Sequence, residues 1–174
     1  LLWTAIYIGS TLHHTNGHIS LPLDDPFIYF QYARQAAAGF FLQYNTGEAA
    51  TTGATSLVYM LLIVPAFWLG LDGMGIAAYA VVLGALFLGL CGRELRLIGR
   101  QLDSAFAGDL ACLLFLLCGP LLWGFLSGME IGLFSFAILL AFRQVLCTTG
   151  WGAVGAVALL VVARPEGVLL YGLL

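Results

Sequence analysis

Long apolar runs, separated by short polar or glycine-containing breaks, dominate the sequence after residue 56. The runs 74–92 and 105–126 reach about 28 to 33 Å as helices at about 1.5 Å per residue, which matches the roughly 30 Å hydrocarbon core of a bilayer. We predict membrane helices at both of them, and also at 131–146 and 151–163. Residues 1–12 are predicted to be the outer end of a first membrane helix.

Two other segments differ from this pattern. The run 57–71 contains Pro65 and reaches only about 22 Å, so it is predicted to be a re-entrant or juxtamembrane segment. Residues 13–56 are predicted to form an outer loop. Within it, 25–38 has apolar and aromatic residues on one stripe and polar residues on the other, which predicts an amphipathic helix at the membrane surface.

The composition strengthens this interpretation. The 174 residues are 61% hydrophobic and 9% charged, with a mean hydropathy of +1.01. A soluble domain is about 45–50% apolar and about 25% charged. We therefore predict an all-α, polytopic helical membrane protein, with 1–174 as a single transmembrane module and no nucleic-acid partner. The chain starts without methionine and stops inside an apolar run, so we expect an N-terminal fragment of a longer protein.

Arginine placement predicts the orientation, since basic residues favour the cytoplasmic side. Arg93, Arg96, Arg100 and Arg143 are placed inside on this rule. If we assume that 57–71 does not cross the membrane, the predicted helices place six acidic or basic residues at the outer face. They are Asp24, Asp25, Glu48, Glu130, Arg164 and Glu166.

Two adjacent carboxylates, Asp24 and Asp25, stand just before the aromatic helix and are the main candidates for catalysis. Neighbouring like charges repel, and ionising both near a membrane is costly. The alternative is helix capping, since Asp25 is a good N-cap and Pro26 suits the first helical position. Capping explains one acid well and the second only weakly.

Carboxylates beside an arginine at a membrane surface suit group transfer from a lipid phosphate. One carboxylate takes the proton of an acceptor hydroxyl as general base, and arginine stabilises the phosphate leaving group. The same carboxylates could instead bind a divalent cation that coordinates the phosphate. The candidate substrate-binding residues are Arg34, Tyr44, Glu48, Glu130, Arg164 and Glu166.

These candidates also have structural interpretations. Arg34 could simply face water, Glu130 could cap a turn, and Arg164 and Glu166 could pair locally across Pro165. Tyr44 and Glu48 could build a turn.

Histidines and cysteines are weaker candidates. His13, His14 and His18 could bind a metal, but we favour an interfacial loop. Four cysteines in apolar runs are interpreted as packing residues.

Five motifs in order carry a family resemblance. They are Asp24–Arg34 (DDPFIYFQYAR), Tyr44–Glu48 (YNTGE), Gly53–Leu57 (GATSL), Ser127–Glu130 (SGME) and Ala163–Gly167 (ARPEG). This set resembles GT-C type membrane glycosyltransferases, above all the bacterial arabinofuranosyltransferase-like and mannosyltransferase-like members, which use polyprenyl-phosphate sugars as donors.

The resemblance implies a catalytic base at Asp24 or Asp25, donor phosphate contacts from Arg34 and Arg164, and a sugar or acceptor pocket formed with Glu130. It also implies a glycan, lipid or protein acceptor, contact with membrane lipid, and a bacterial inner membrane with the active site facing outward. One departure concerns Gln31, which stands where many relatives have an arginine. The soluble C-terminal domain or further helices of many members are not present in this sequence.

Two other function classes compete with a transferase. A transporter or flippase would line a pathway with charges in the middle of membrane helices and would show internal repeats. A scaffold without chemistry would leave the acid pair unexplained. Most acidic residues fall at predicted helix ends, which favours the transferase.

Overall fold

A computed structural model describes residues 2–17, 21–51, 53–147 and 150–172, and every regular element in these residues is a helix. In chain order the helices are α1 (Leu2–His14), α2 (Pro26–Ala37), α3 (Leu57–Trp68), α4 (Gly73–Gln101), α5 (Ala105–Leu117), α6 (Gly119–Leu126), α7 (Ile131–Cys147), α8 (Trp151–Ala163) and α9 (Gly167–Tyr171). The predicted all-α class is confirmed.

Helix α4 is the centre of the packing, and α5 runs antiparallel to it. Gly99 lies against Gly108, and Gly92 lies near Cys112, so residue numbers rise on one helix as they fall on the other. Glycine at these positions lets the two backbones approach closely, as small residues do in helix pairs within membranes.

Helix α7 packs on another side of α4 and runs parallel to it. Phe87 stacks near Phe136, with 6.0 Å between ring centroids, and further along both helices Glu94 pairs with Arg143. Helix α8 then returns antiparallel to α7 and brings residue 164 back to the start of α7.

A second layer is formed by α2 and α3. The amphipathic pattern predicted for 25–38 appears as α2, and its buried residues include Tyr29, Tyr32 and Ala33. Tyr29 packs edge-to-face on Tyr59 of α3, with 5.3 Å between ring centroids. The N-terminus of α3 is capped by Ser56, whose side chain accepts a hydrogen bond from the backbone N–H of Tyr59.

Three predicted boundaries differ from the structure. The predicted helix 105–126 is two helices, α5 and α6, bent by 67°. Pro120 stands in the first turn of α6, where its missing N–H and its ring favour a helix start over a continuous helix. The predicted helix 74–92 continues to residue 101, and His13 and His14 end α1 instead of lying in the loop.

Membrane-compatible length is found most clearly in α4. Among the described residues, α4 is the one helix that is long and apolar enough to cross a bilayer by itself. Helices α5 and α6 meet the same criteria only if the bent pair is taken as one span. Helices α3, α7 and α8 are apolar but shorter. The coarser prediction, an all-α chain with a helix that could cross a membrane, is what the fold confirms.

Close contact between α4 and α6 depends on Gly84. A Cβ atom at this position would overlap the backbone carbonyl of Phe125, which is part of a helix and cannot move independently. We expect Gly84→Ala to destabilise the protein by about 1–3 kcal/mol.

Gly89, on the same helix, is the matched control, since a Cβ there meets nothing within 4 Å. Gly89→Ala is expected to be neutral or to stabilise by up to about 1 kcal/mol. Unfolding of both variants in detergent measures the difference, and equal stability would contradict the close contact.

Candidate functional site

A buried turn between α6 and α7 holds Glu130. The hydroxyl of Ser127 donates to the carbonyl of Gly124 at 2.8 Å, and Gly128 takes a positive φ of 83°. A Cβ on Gly128 would lie 2.7 Å from Leu21 and 3.4 Å from Pro26. The turn therefore packs against the start of α2, directly after the acid pair, and only a glycine fits there.

Arg164 links three of the predicted site residues. Its Nη1 lies 3.3 Å from Oε1 of Glu130, which is 2% exposed. Its Nε and Nη2 donate to the two oxygens of Glu166, at 3.2 Å each. The guanidinium also stands over the ring of Phe134, with 5.6 Å between its central carbon and the ring centroid. The local pairing across Pro165 thus exists, and the same arginine also reaches Glu130.

Glu166 is the exposed carboxylate of this group. Its own backbone N–H and the Arg164 guanidinium hold the pKa of the Glu166 carboxyl below its usual range. It therefore stays ionised and competes with Glu130, and with any bound anion, for the arginine.

Tyr29 completes the environment of Glu130. Its hydroxyl lies 2.6 Å from the hydroxyl of Thr55. Burial raises the pKa of Tyr29 to about 12, and the nearby Glu130 carboxylate contributes in the same direction. The phenol therefore stays protonated at neutral pH and remains a hydrogen-bond donor.

One oxygen of Glu130 remains available. Oε2 is buried, and among the described residues no group meets it in full hydrogen-bond geometry, although the Tyr29 hydroxyl interacts with the Glu130 carboxylate. A buried acceptor without a partner costs about 1–3 kcal/mol, more when it is charged. Buried polar atoms of this kind are rare in folded proteins, so this oxygen is a candidate acceptor for a ligand hydroxyl.

The acid pair lies at the exposed N-terminal end of α2. Asp25 has helical backbone angles and its side chain makes no capping hydrogen bond, so capping does not account for it. Both acids are exposed, and the structure gives neither side chain a partner among the described residues. Because residues four apart share a helix face, Asp25 lies on the same face as Tyr29.

Arg34 and Tyr44 belong to a different cleft. With Gln31 and Asp72 they line an open space of about 510 Å³ between α2, the following loop and the junction of α3 and α4. Arg34 is about 13 Å along α2 from Asp25 at about 1.5 Å per residue. Gln31, the departure from the family pattern, donates to the carbonyl of Tyr44 at 2.7 Å and so positions the loop.

Glu48 is not brought into either site. Its oxygens accept hydrogen bonds from the backbone N–H and the side-chain amide of Asn45, at 3.2 and 2.9 Å. Both residues are exposed. The alternative interpretation of Glu48, as a residue that builds a turn, fits these contacts.

A second buried charge cluster was missed from the sequence. Glu94 of α4 is fully buried and pairs with Arg143 of α7 and, at 2.7 Å, with Arg93. Arg143 lies about 20 Å along α7 from Glu130 at about 1.5 Å per residue, so this cluster is at the opposite end of the bundle. The available signal was an isolated glutamate in the middle of an arginine run next to an apolar helix.

Metal ligands do not gather in the part of the structure that is described. No three histidine, cysteine, aspartate or glutamate side chains among these residues are placed to hold one ion. His18, one of the three histidines considered as ligands, lies outside the described residues.

Comparisons of this chain with protein-family models, with curated proteins and with solved structures found no match. The function proposed below is therefore supported by the side chains around Glu130, the acid pair and the pattern of the sequence.

Titration of Tyr29 gives a direct test of its contact with Glu130. We expect one phenol to ionise near pH 12, and Tyr29→Phe to remove that step from the ultraviolet titration of tyrosine. Because the pKa is raised, the contribution of neutral Tyr29 to stability is complete below pH 10 and is lost as the pH rises towards 12. Glu130→Gln is expected to lower the pKa of Tyr29. An unchanged value in Glu130→Gln would contradict the contact.

Proposed function

We propose that this chain is a membrane module of a glycosyltransferase that moves a sugar from a polyprenyl-phosphate donor to an acceptor hydroxyl. The observation that carries the proposal is the buried Oε2 of Glu130, which lies near the protonated Tyr29 in a turn that packs against Pro26, the residue after the acid pair. A buried carboxylate oxygen that is not used internally suits a hydroxyl of a sugar or of the acceptor.

We also propose that the chain crosses the membrane several times. Besides α4, large apolar side chains are exposed along α5 and α8, a pattern that suits contact with lipid chains. The exposed ones are Phe106, Leu110, Leu113, Leu114 and Leu117 on α5, and Trp151, Val154 and Val162 on α8.

The positions of charges support one orientation. Arg93 and Arg143 meet at one end of α4 and α7, and Glu130 and Arg164 meet near the other end of α7. Because basic residues favour the cytoplasmic side, the Glu130 site is proposed to face outward, in bacteria towards the periplasm.

The chemistry assigns a role to each side chain. Asp25, or its neighbour Asp24, takes the proton of the acceptor hydroxyl as its oxygen forms a bond to the anomeric carbon of the sugar. The bond between that carbon and the phosphate oxygen breaks, and the lipid phosphate leaves with the electron pair. Arg164 stabilises the leaving phosphate, while Glu130 and Tyr29 orient sugar or acceptor hydroxyls.

The cleft with Arg34 and Tyr44 is proposed to bind a more distant part of the substrates. Its lining combines aromatic rings with a few polar groups, as is common in small-molecule sites. A divalent cation that joins the acid pair to the donor phosphate remains the alternative way of binding that phosphate.

A transfer assay tests the function. The protein in vesicles would be given polyprenyl-phosphate donors of mannose and of arabinofuranose, and release of polyprenyl phosphate would be followed with and without added acceptor. We expect polyprenyl phosphate to be released only when the protein is present and its site faces the side of the vesicle to which the donor is added. No release with any donor and acceptor pair would overturn the proposal.

Buried Glu94 favours a transporter as the second candidate, since its charge lies inside a helix bundle. Sidedness separates the two functions. Single cysteines at the exposed Thr46, Pro165 and Leu102 in a cysteine-free background would be labelled with an impermeant thiol reagent. A transferase requires Thr46 and Pro165 to label from outside and Leu102 only after permeabilisation. Labelling of Thr46 and Pro165 from opposite sides would favour the transporter.

A further inference from the structure

A second cleft lies between α4 and α5, at the end of the bundle that holds Arg143 and Glu94. Its volume is about 360 Å³. Arginines line one part of the cleft, and glycine, cysteine and leucine line the other. The residues used below are Arg93, Arg96, Arg100, Gly89, Cys112 and Leu116.

The three arginines face one side of α4. Their spacings of three and four residues place them on one helix face, one above the other. Three of the six arginines in the chain are therefore directed to a single cleft.

Local carboxylates do not neutralise this cleft. Arg93 contacts Glu94, but Arg143 already pairs with the same carboxylate. Arg96 pairs with Asp109 at 2.6 Å in an exposed contact, which contributes little to holding either side chain in place. Within the described residues Arg100 has no carboxylate partner. An excess of positive charge thus faces the cleft.

The position along α4 matches the surface of a bilayer. The apolar part of α4, from Gly73 to Gly92, is about 30 Å long at about 1.5 Å per residue, and Arg93 follows directly. The arginines therefore lie at the depth of lipid headgroups. Gly89 and Leu116 lie on the side of the acyl chains.

We propose that this cleft binds the phosphate of an acidic phospholipid, with an acyl chain lying over Gly89 and Leu116. Arginine forks match phosphate oxygens with two parallel hydrogen bonds, and basic pockets between membrane helices bind acidic headgroups. A free phosphate shares the charged half of this chemistry, but the apolar half of the cleft favours a lipid. The inference rests on the proposed membrane location and is independent of the transfer reaction.

Native mass spectrometry of the delipidated full chain tests the inference. Dioleoyl-phosphatidylglycerol is expected to bind, and dioleoyl-phosphatidylcholine to bind far more weakly. The double variant Arg93→Gln and Arg100→Gln is expected to bind phosphatidylglycerol roughly thirtyfold more weakly, because each basic residue near a headgroup contributes about a fivefold gain in affinity.

A steric variant keeps the test independent of charge and folding. Gly89→Leu leaves every arginine in place and adds a side chain to open space in the cleft, so it is expected to weaken lipid binding without lowering stability. Gln101→Ala, an exposed neighbour outside the cleft, is the matched control and should bind lipid as the parent does.

Three results would overturn the proposal. They are equal binding of both lipids, unchanged phosphatidylglycerol binding in the arginine and Gly89 variants, and inorganic phosphate that protects the chain against heat as well as phosphatidylglycerol does. Because neither donor nor acceptor is present, these results leave the transfer assay unaffected. A failed transfer assay likewise leaves the lipid measurement intact.

Discussion

Asp25→Asn is expected to lower the rate of sugar transfer by roughly 100- to 10 000-fold, the range that a general base contributes. The amide keeps the shape of the side chain but cannot take a proton from the acceptor. Since Asp25 is exposed and its side chain makes no capping hydrogen bond, folding and membrane insertion should be unchanged. Release of polyprenyl phosphate measures the rate.

Asp24→Asn is the matched comparison, because it makes the same chemical change at the adjacent exposed residue before α2. The loss should be smaller, since Asp25 and not Asp24 shares a face with Tyr29. Asp103→Asn, an exposed carboxylate between α4 and α5, should transfer at the parent rate. Full activity in Asp24→Asn, Asp25→Asn and the double variant would remove the general-base assignment.

Arg143→Met is expected to destabilise the protein by about 3–5 kcal/mol. The variant leaves the fully buried Glu94 with Arg93 alone, which is largely exposed, and removing one partner of a buried ion pair leaves a poorly compensated charge. Unfolding of the purified chain in detergent measures this loss.

Two controls separate burial from charge. Asp109→Asn breaks the exposed pair with Arg96 and should cost no more than about 1 kcal/mol. Replacing Glu94 and Arg143 together by Met should recover most of the loss, since no unpaired buried charge remains. If Arg143→Met were no more harmful than Asp109→Asn, the pair at Glu94 would not be a buried contact in solution.

The sequence predicted the bounds of α8 well, because its apolar run lies between Gly150 and Arg164. It predicted the bend before Pro120 poorly, because the residues around Pro120 are apolar on both sides and hydropathy does not register a missing backbone hydrogen bond. Helix α4 continues past Gly92 because arginine, leucine and glutamate favour helix whether or not the segment is apolar.

The candidate site was predicted in part. Glu130, Arg164 and Glu166 were expected on one face, and the structure brings these three together. Arg34 and Tyr44 lie in a separate cleft, which no spacing along the chain could show. Tyr29 was seen only as part of an aromatic helix, since its role depends on a contact with a residue about 100 positions away. Glu94 was missed because its burial depends on α7.

The bend between α5 and α6 also bears on how the chain enters a membrane during synthesis. Residues 105–126 as one straight helix would be about 33 Å long, whereas α5 alone is about 20 Å, shorter than the roughly 30 Å hydrocarbon core. In the proposed membrane setting, this segment would enter the bilayer with its helix already broken at Pro120, because the missing backbone N–H belongs to the chain itself. Docking of Phe125 at Gly84 would then fix the angle of the bend. A side chain at that glycine would then trap an inserted but unpacked intermediate, exposed to membrane proteases.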